Sequence, residues 1–420
     1  MEIFENNERT HVHVTSEIGR LNAVLLHRPG VEIERMTPSN AAEALYSDIL
    51  NKPIVDEEYR HFCGVFERVT KVFYVEDILR SLLEDGNLRL ELVRQSCHAE
   101  GCDYLADELM QCSATDIARA LIEGFAYREG KDPKQFAERR YVLRPLYNLF
   151  FTRDASSSVF DRVLVNSMSF DVRKRENLIY EAIFKHYFGC GLLNAQQWDP
   201  TAHTEGGDVQ IGRHDLLCIG EGIRTDAKGI EYLAHVFSDR PKFNIIVQQL
   251  PHTPESFIHL DMVYTFLDRD RCMMYEPMLR KTAEFAGKGT TRIEIDNGRI
   301  KYHDCKNMLE ALKQVGLDME PVFCGGDDLW NQQREQWHSG ANFFALAPGK
   351  VIGYRRNRHT IEALDKAGFA VLNAEEVADG RVDIGSYGRC VVTFAASELP
   401  RAGGGARCMT MPVNRDEVDW

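Results

Sequence analysis

The chain has 420 residues, 44% hydrophobic and 27% charged, with no run of eighteen apolar residues, so it has the makings of one large or two ordinary soluble domains and no membrane-spanning helix. Its formal net charge of -14, with no basic cluster longer than Arg355-Arg356-Asn357-Arg358, argues against a nucleic-acid partner and mildly favours approach of a cationic small molecule. Eleven scattered cysteines without a CxxC pair fit neither a disulfide framework nor a structural zinc site, and most read as reduced, buried apolar residues.

Residues 1–8 lack the basic start and apolar middle of a signal peptide, so a cytoplasmic protein is expected. An apolar strand at 21–26 is the first trace of a pattern that recurs beyond the first third of the chain: two short strands, a polar turn between them, then an amphipathic helix. The clearer copies begin with strands at 150–155 and 163–165 and a helix over 175–187. A second copy places strands at 208–211 and 216–219 and a helix over 226–237, with Asp226 as N-cap. The third has strands at 261–266 and 272–275; the fourth has strands at 342–346 and 351–354 and a helix over 359–367. A further partial copy is read at 390–394. Such modules predict an α/β fold closed into a pseudosymmetric ring. Asp154, Asp208 and Asp261, with Asn342 and Asn22 in the looser copies, each fall at the start of a first strand, so a ring would make them converge near one end of its axis.

Between residues 66 and 137 the period becomes helical, at 75–83, 88–93 and 113–122, with Ser113 and Asp116 at capping-box-like spacing. No Pro/Gly/Ser-rich linker interrupts the chain. We therefore expect a single domain over 1–420 with 66–137 as a helical insertion.

Chemistry concentrates in three places. His203-Thr204-Glu205-Gly206-Gly207-Asp208 sets two carboxylates around a glycine pair, where backbone can pass close to a ligand. On a strand, His259 and Asp261 would share a face, and an unpartnered buried carboxylate there would be costly. His203, Glu205, Asp208, His259 and Asp261 include acceptable metal ligands, but their spacing matches no metal motif of the HExxH kind. Near the C-terminus, Gly403-Gly404-Gly405 precedes Arg407 and Cys408, and a cysteine after a glycine-rich loop can meet a ligand as a nucleophile. Paired carboxylates such as Asp154 and Asp261 have the charge to hold a guanidinium, and histidine supplies acid and base. Together these groups describe nucleophilic attack on a guanidinium carbon.

Six segments in order make the sequence similar to the arginine deiminases of the amidinotransferase-like superfamily, from Ser16 to the C-terminus: Val24-Leu25-Leu26-His27-Arg28-Pro29-Gly30, Asn148-Leu149-Phe150-Phe151-Thr152-Arg153-Asp154, Glu205-Gly206-Gly207-Asp208, Arg224-Thr225-Asp226, His259-Leu260-Asp261 and Ala406-Arg407-Cys408-Met409-Thr410-Met411-Pro412. The resemblance implies a five-bladed α/β-propeller of ββαβ modules with an inserted helical bundle. It also implies hydrolysis of L-arginine to citrulline and ammonia, no metal or organic cofactor, and a homodimer or homotetramer. By the same resemblance Cys408 is the nucleophile, His259 the acid and then base, Glu205 its partner, and Asp154 and Asp261 the guanidinium clamp. Arg173 and Arg224 match positions that bind the substrate carboxylate. Asn148 and Phe151 match pocket positions, and Asp208 is expected to be a further substrate-binding residue.

Two departures stand out. The family pattern has Arg-Gly-Arg-Gly-Gly before the cysteine, whereas this chain has Arg401-Ala402-Gly403-Gly404-Gly405, so either Arg401 or Arg407 replaces a carboxylate contact missing at Gly403 or recognition of the amino-acid end is weaker than usual. Glu58-Tyr59-Arg60-His61-Phe62 stands where the family tends to have a Glu-His pair. Rival readings are a deiminase of another guanidino compound such as agmatine, a metal-dependent hydrolase, and an inactive binding member of the fold.

Overall fold

The computed structural model describes residues 10–126 and 141–420; the first eight residues, read above for a signal peptide, and positions 127–137 of the expected insertion lie outside them. Alternating apolar residues do form the paired strands. Val209–Arg213 runs antiparallel to Leu216–Glu221, Tyr264–Phe266 to Arg271–Met274, Phe344–Ala347 to Lys350–Tyr354, and Ser156–Val159 to Arg162–Val165. In each hairpin the second strand then takes a parallel neighbour from farther along the chain: Phe243–Gln249, Glu320–Phe323, Cys390–Phe394 and Gly191–Leu193, respectively. A fifth sheet has the same order, but its antiparallel partner comes from the far end of the sequence. Leu21–Leu26 pairs parallel with Lys71–Tyr74 and antiparallel with Met411–Arg415.

Helices bridge the parallel strands, as a parallel connection requires. Ala227–Val236 starts where Asp226 accepts the Gly229 amide at 2.8 Å, and Arg358–Lys366 follows Lys350–Tyr354. The expected continuous helix over 175–187 is instead Asp171–Lys174, Glu176–Ala182 and a wider π turn, Ile183–Phe188, closed by Gly189 in the left-handed region. Residues 390–394 are a strand, but not a further module: they supply the parallel strand of the fourth. The edge hairpin Thr290–Asp296 and Arg299–Cys305, which extends the Val209–Gln249 sheet, carried no recognised repeat.

Val75–Leu82, Gly86–Ala99 and Ala114–Glu123 bury Leu79, Val93 and Leu121 against Leu25, Tyr180 and Phe184. Ser113 caps the last of these helices by accepting the Asp116 amide at 3.1 Å, while its hydroxyl donates to the Asp116 carboxylate at 2.7 Å. Among the described residues no helix is long and apolar enough to cross a membrane. The architecture is mixed α/β.

One correction bears directly on the site. Asp154, Asp208 and Asp261 do not begin strands. Each lies in a single helical turn just ahead of one: Thr152–Ala155, Gly206–Asp208 and Leu260–Met262. A strand-initial side chain would have been committed to one sheet face. A turn frees it to point across the strand ends.

Candidate active site

These three turns meet edge to edge, and glycine permits it. A Cβ on Gly207 would lie 2.3 Å from His259 Nδ1, inside the imidazole's own space. His259 and Asp261 therefore owe their convergence to the Leu260–Met262 turn, not to shared strand parity. Asp208, expected to bind substrate, instead completes the joint: its carboxylate accepts the Leu260 amide at 2.9 Å, and like Glu205, His259 and Asp261 it lies behind the residues that line the cavity. Burial pushes its acid up to about 7, despite the nearby His259.

Cys408 stands on a turn after the glycine loop. Gly403, at φ +89°, ends the short turn Leu399–Ala402 in a conformation that L side chains rarely adopt. The next two glycines leave no room for Cβ atoms, 2.4 Å from the Phe151 ring and 2.6 Å from Asn342 Oδ1. The loop thus threads between Phe151 and Asn342. Asn342 also accepts the Arg407 amide at 2.8 Å and donates from Nδ2 to Cys408 Sγ at 3.2 Å. Its expected convergence with the aspartates is met, since it also donates to the Asp261 carbonyl at 3.2 Å, but its contact with the sulfur had no signal in the sequence.

Near the sulfur the charges form a chain of pairs. Asp261 lies 3.8 Å from Cys408 Sγ, and Asp154 Oδ1 lies 3.8 Å from His259 Nδ1. On its other side His259 Nε2 meets Glu205 Oε2 at 2.9 Å, and Arg224 meets that carboxylate at 3.2 Å. All are buried. Burial would depress the imidazole, but Asp154, Glu205 and Asp208 outweigh it and hold His259 up at about 9; burial would raise Glu205, but Arg224 and His259 draw it down to about 2. His259 and Glu205 are therefore an ion pair at neutral pH. Cys408 moves the other way. Burial, then the charges of Asp261 and Asp154, push its thiol well above the usual range, so the resting sulfur is protonated.

A cavity of about 380 Å³ opens onto this chain, lined by Asn148, Phe151, Asp154, Arg173, Arg224 and Cys408 among others. Asn148 donates to the Ala44 carbonyl at 2.8 Å. Arg173 binds Asp154 at 2.6 Å and Glu176 at 2.9 Å, and Arg224 stacks on Phe170 with its guanidinium 4.4 Å from the ring centre. The two candidate replacements for the family's loop arginine are elsewhere. Arg401 is exposed and paired with Asp48 at 2.7 Å, outside the cavity lining, and Arg407 is sealed behind Asp261. His203 is also apart, against the Ser167 carbonyl at 3.2 Å. Among the described residues, no group of three or more His, Cys, Asp and Glu side chains is arranged to hold a metal ion.

The segment that departs from the family's Glu-His pair contains Glu58. In the fold that buried carboxylate accepts the amides of Ser397, Glu398 and Leu399 and the Ser397 hydroxyl at 2.7 Å, so it caps the turn leading into the glycine loop. Glu17, for which the sequence carries no signal, is the anchor of Arg407 at 3.0 Å.

The family model for arginine deiminase matches residues 43–415. Arginine deiminase of Bacillus thuringiensis subsp. konkukian is 32% identical over 434 residues, covering 97% of this chain and 99% of that protein; the enzyme of Limosilactobacillus reuteri is 32% identical over 433 residues, covering 97% and 98%. Solved structures share the fold at low identity. The N-terminal domain of ArgZ, covalently bound to a reaction intermediate, superposes with a TM-score of 0.53 at 13% identity, covering 94% of this chain and 98% of that one. The amidinotransferase SxtG from Microseira wollei gives 0.54 at 14% identity, covering 97% and 98%.

Proposed function

This chain belongs to the arginine deiminase family, and from that membership we propose that it hydrolyses L-arginine to L-citrulline and ammonia, cleaving a C–N bond of a linear amidine with no metal or organic cofactor. The observation that carries the reading is a buried thiol opening on a cavity between two carboxylates, with an imidazolium–glutamate pair beside it.

The chemistry follows from those charges. Substrate guanidinium settles between Asp154 and Asp261 and offsets the negative charge that keeps the proton on sulfur. The thiol proton leaves to solvent, and the Cys408 thiolate adds to the guanidinium carbon. His259 gives its proton to the departing nitrogen, which leaves as ammonia, and an amidino-thioether remains on Cys408. The neutral imidazole then takes a proton from water as the water oxygen adds to the same carbon. Collapse expels the thiolate and yields citrulline. Arg173 and Arg224, at the cavity wall, are placed to receive the substrate carboxylate.

Five sheets of one strand order support a five-bladed propeller of ββαβ modules in a single catalytic domain over 1–420, with the helices within 66–137 as its inserted bundle. We further propose a cytoplasmic homodimer or homotetramer. The test is citrulline and ammonia release from L-arginine with chelator present, beside a Cys408→Ala control. Citrulline from the first and none from the second is the expected result. Chelator-sensitive activity, or citrulline from the control, overturns the cysteine mechanism, and turnover of agmatine without turnover of L-arginine reassigns the substrate.

A further inference from the structure

The two carboxylates of the clamp each carry an arginine, and the second of these has no part in the scheme above. Arg407 immediately precedes the nucleophile, yet its side chain turns away from the cavity and is only 1% exposed. Its Nη1 meets Asp261 Oδ2 at 2.9 Å; Nε and Nη2 meet the two Glu17 oxygens at 3.0 and 3.1 Å; and Nη2 also donates to the Val209 carbonyl at 2.8 Å. Glu17 is fixed in turn, because it accepts the Ile211 amide at 3.1 Å. One guanidinium therefore ties the N-terminal segment, the strand after the Gly206–Asp208 turn, the Leu260–Met262 turn and the nucleophile's own loop to a single point.

We infer that Arg407, anchored by Glu17, is a positioning residue that fixes both the place and the charge of the Asp261 carboxylate. The inference rests on the deiminase reading, since it acts through the guanidinium clamp. Asp261 is fully buried and faces Cys408, His259 and Asp154, with Arg153 nearby; burial raises its acid, and Arg407 is the largest influence in the opposite direction. A carboxyl that took up a proton there would lose its attraction for a guanidinium, and a carboxylate without the Arg407 contact would be free to turn from the sulfur. The planar fork suits this duty. It satisfies two carboxylates at once, which a lysine ammonium does less rigidly.

The experiment is the pH profile of kcat/KM for L-arginine in wild type, Arg407→Gln, Arg407→Lys and Glu17→Gln, with melting curves to show that each is folded. In Arg407→Gln the acid limb moves up by about one to three pH units and activity returns toward wild type as pH rises, because an ion pair of this kind lowers a carboxyl by that much. Arg407→Lys keeps the charge, so its acid limb stays near that of wild type while KM rises. Glu17→Gln loosens the anchor of Arg407 and takes a negative charge from the neighbourhood of Asp261, so its acid limb does not move up while KM rises as the carboxylate loses its fixed place; it is the deciding variant if Arg407→Gln does not fold. An unmoved acid limb in folded Arg407→Gln, or an unchanged KM in Glu17→Gln when that variant decides, overturns the inference. So does an equal loss at every pH. Wild-type protein that makes no citrulline overturns the functional reading and this one with it, whereas wild-type turnover with an unmoved limb overturns this one alone.

Discussion

The clamp has an open side and a sealed side. Asp154 is held by Arg173, which lines the cavity and keeps Glu176 as a second partner; Asp261 is held by Arg407, which touches only protein. Chemically the pairs are alike. What differs is access: on the open side solvent and substrate can take over a released charge, while on the sealed side a released charge has nowhere to go. In the proposed scheme Arg173 trades Asp154 for a substrate carboxylate, whereas Arg407 keeps its partners throughout.

Asp261→Asn and Asp154→Asn give the largest and most direct contrast. Each removes half of the clamp and is expected to lower kcat/KM by about 10²–10³, the cost of losing one preorganised electrostatic contact. They should part company in stability, because breaking the sealed pair costs about 3–5 kcal/mol and the cavity-facing pair much less. Calorimetry checks this, and equal melting points would erase the distinction between the two sides. Asp154→Asn should also pull the basic limb of kcat below the value near 9 set by His259, since Asp154 helps to hold that proton.

Glu205→Gln tests the link behind the imidazole. Glu205 holds His259 at 2.9 Å and raises its affinity for a proton, so its loss lowers the pH at which the acid form disappears. We expect kcat to fall about 10²-fold, within the range for misplaced acid–base catalysis, with the basic limb shifted downward. Stopped-time citrulline assays across pH 6–10 would read both. An unchanged limb would mean that His259 is not the titrating group.

The smallest effects compare a buried and an exposed contact on the glycine loop. Glu58→Gln turns one of its two acceptor oxygens into a donor that faces backbone amides, so a loss of about 1–3 kcal/mol in unfolding free energy is expected, with a few-fold rise in KM. Arg401→Ala removes only the exposed pair with Asp48, worth about 0–1 kcal/mol, and should leave kinetics almost unchanged. A large KM effect from Arg401→Ala would restore it as a substrate contact.

What could be read from sequence followed the range of the interaction. Strand pairs such as Leu216–Glu221 and Lys350–Tyr354 announced themselves through local apolar runs and polar turns, and Asp226 and Ser113 through capping spacing. The chemistry of the site was legible in residue types alone, and the family pattern supplied the roles. Three things depended on distant contacts and stayed hidden. A one-turn helix such as Leu260–Met262 is too short for any period, so His259 and Asp261 looked like strand residues. Cys390–Phe394 has the composition of any buried strand, and only its register beside Lys350–Tyr354 shows which sheet it completes. Glu17 and Arg407 are 390 positions apart, and nothing local in either segment indicates that they meet.

The protonated state of Cys408 has a consequence for life under oxidative stress. Peroxide and alkylating electrophiles attack thiolates, whereas a neutral thiol is nearly inert to them. Resting Cys408 is neutral and 2% exposed, so the idle protein carries its nucleophile in a form that oxidants pass over. In the proposed mechanism the reactive anion arises only when a guanidinium already fills the cavity. That scheme predicts that oxidants inactivate the protein faster during turnover than while it waits for substrate.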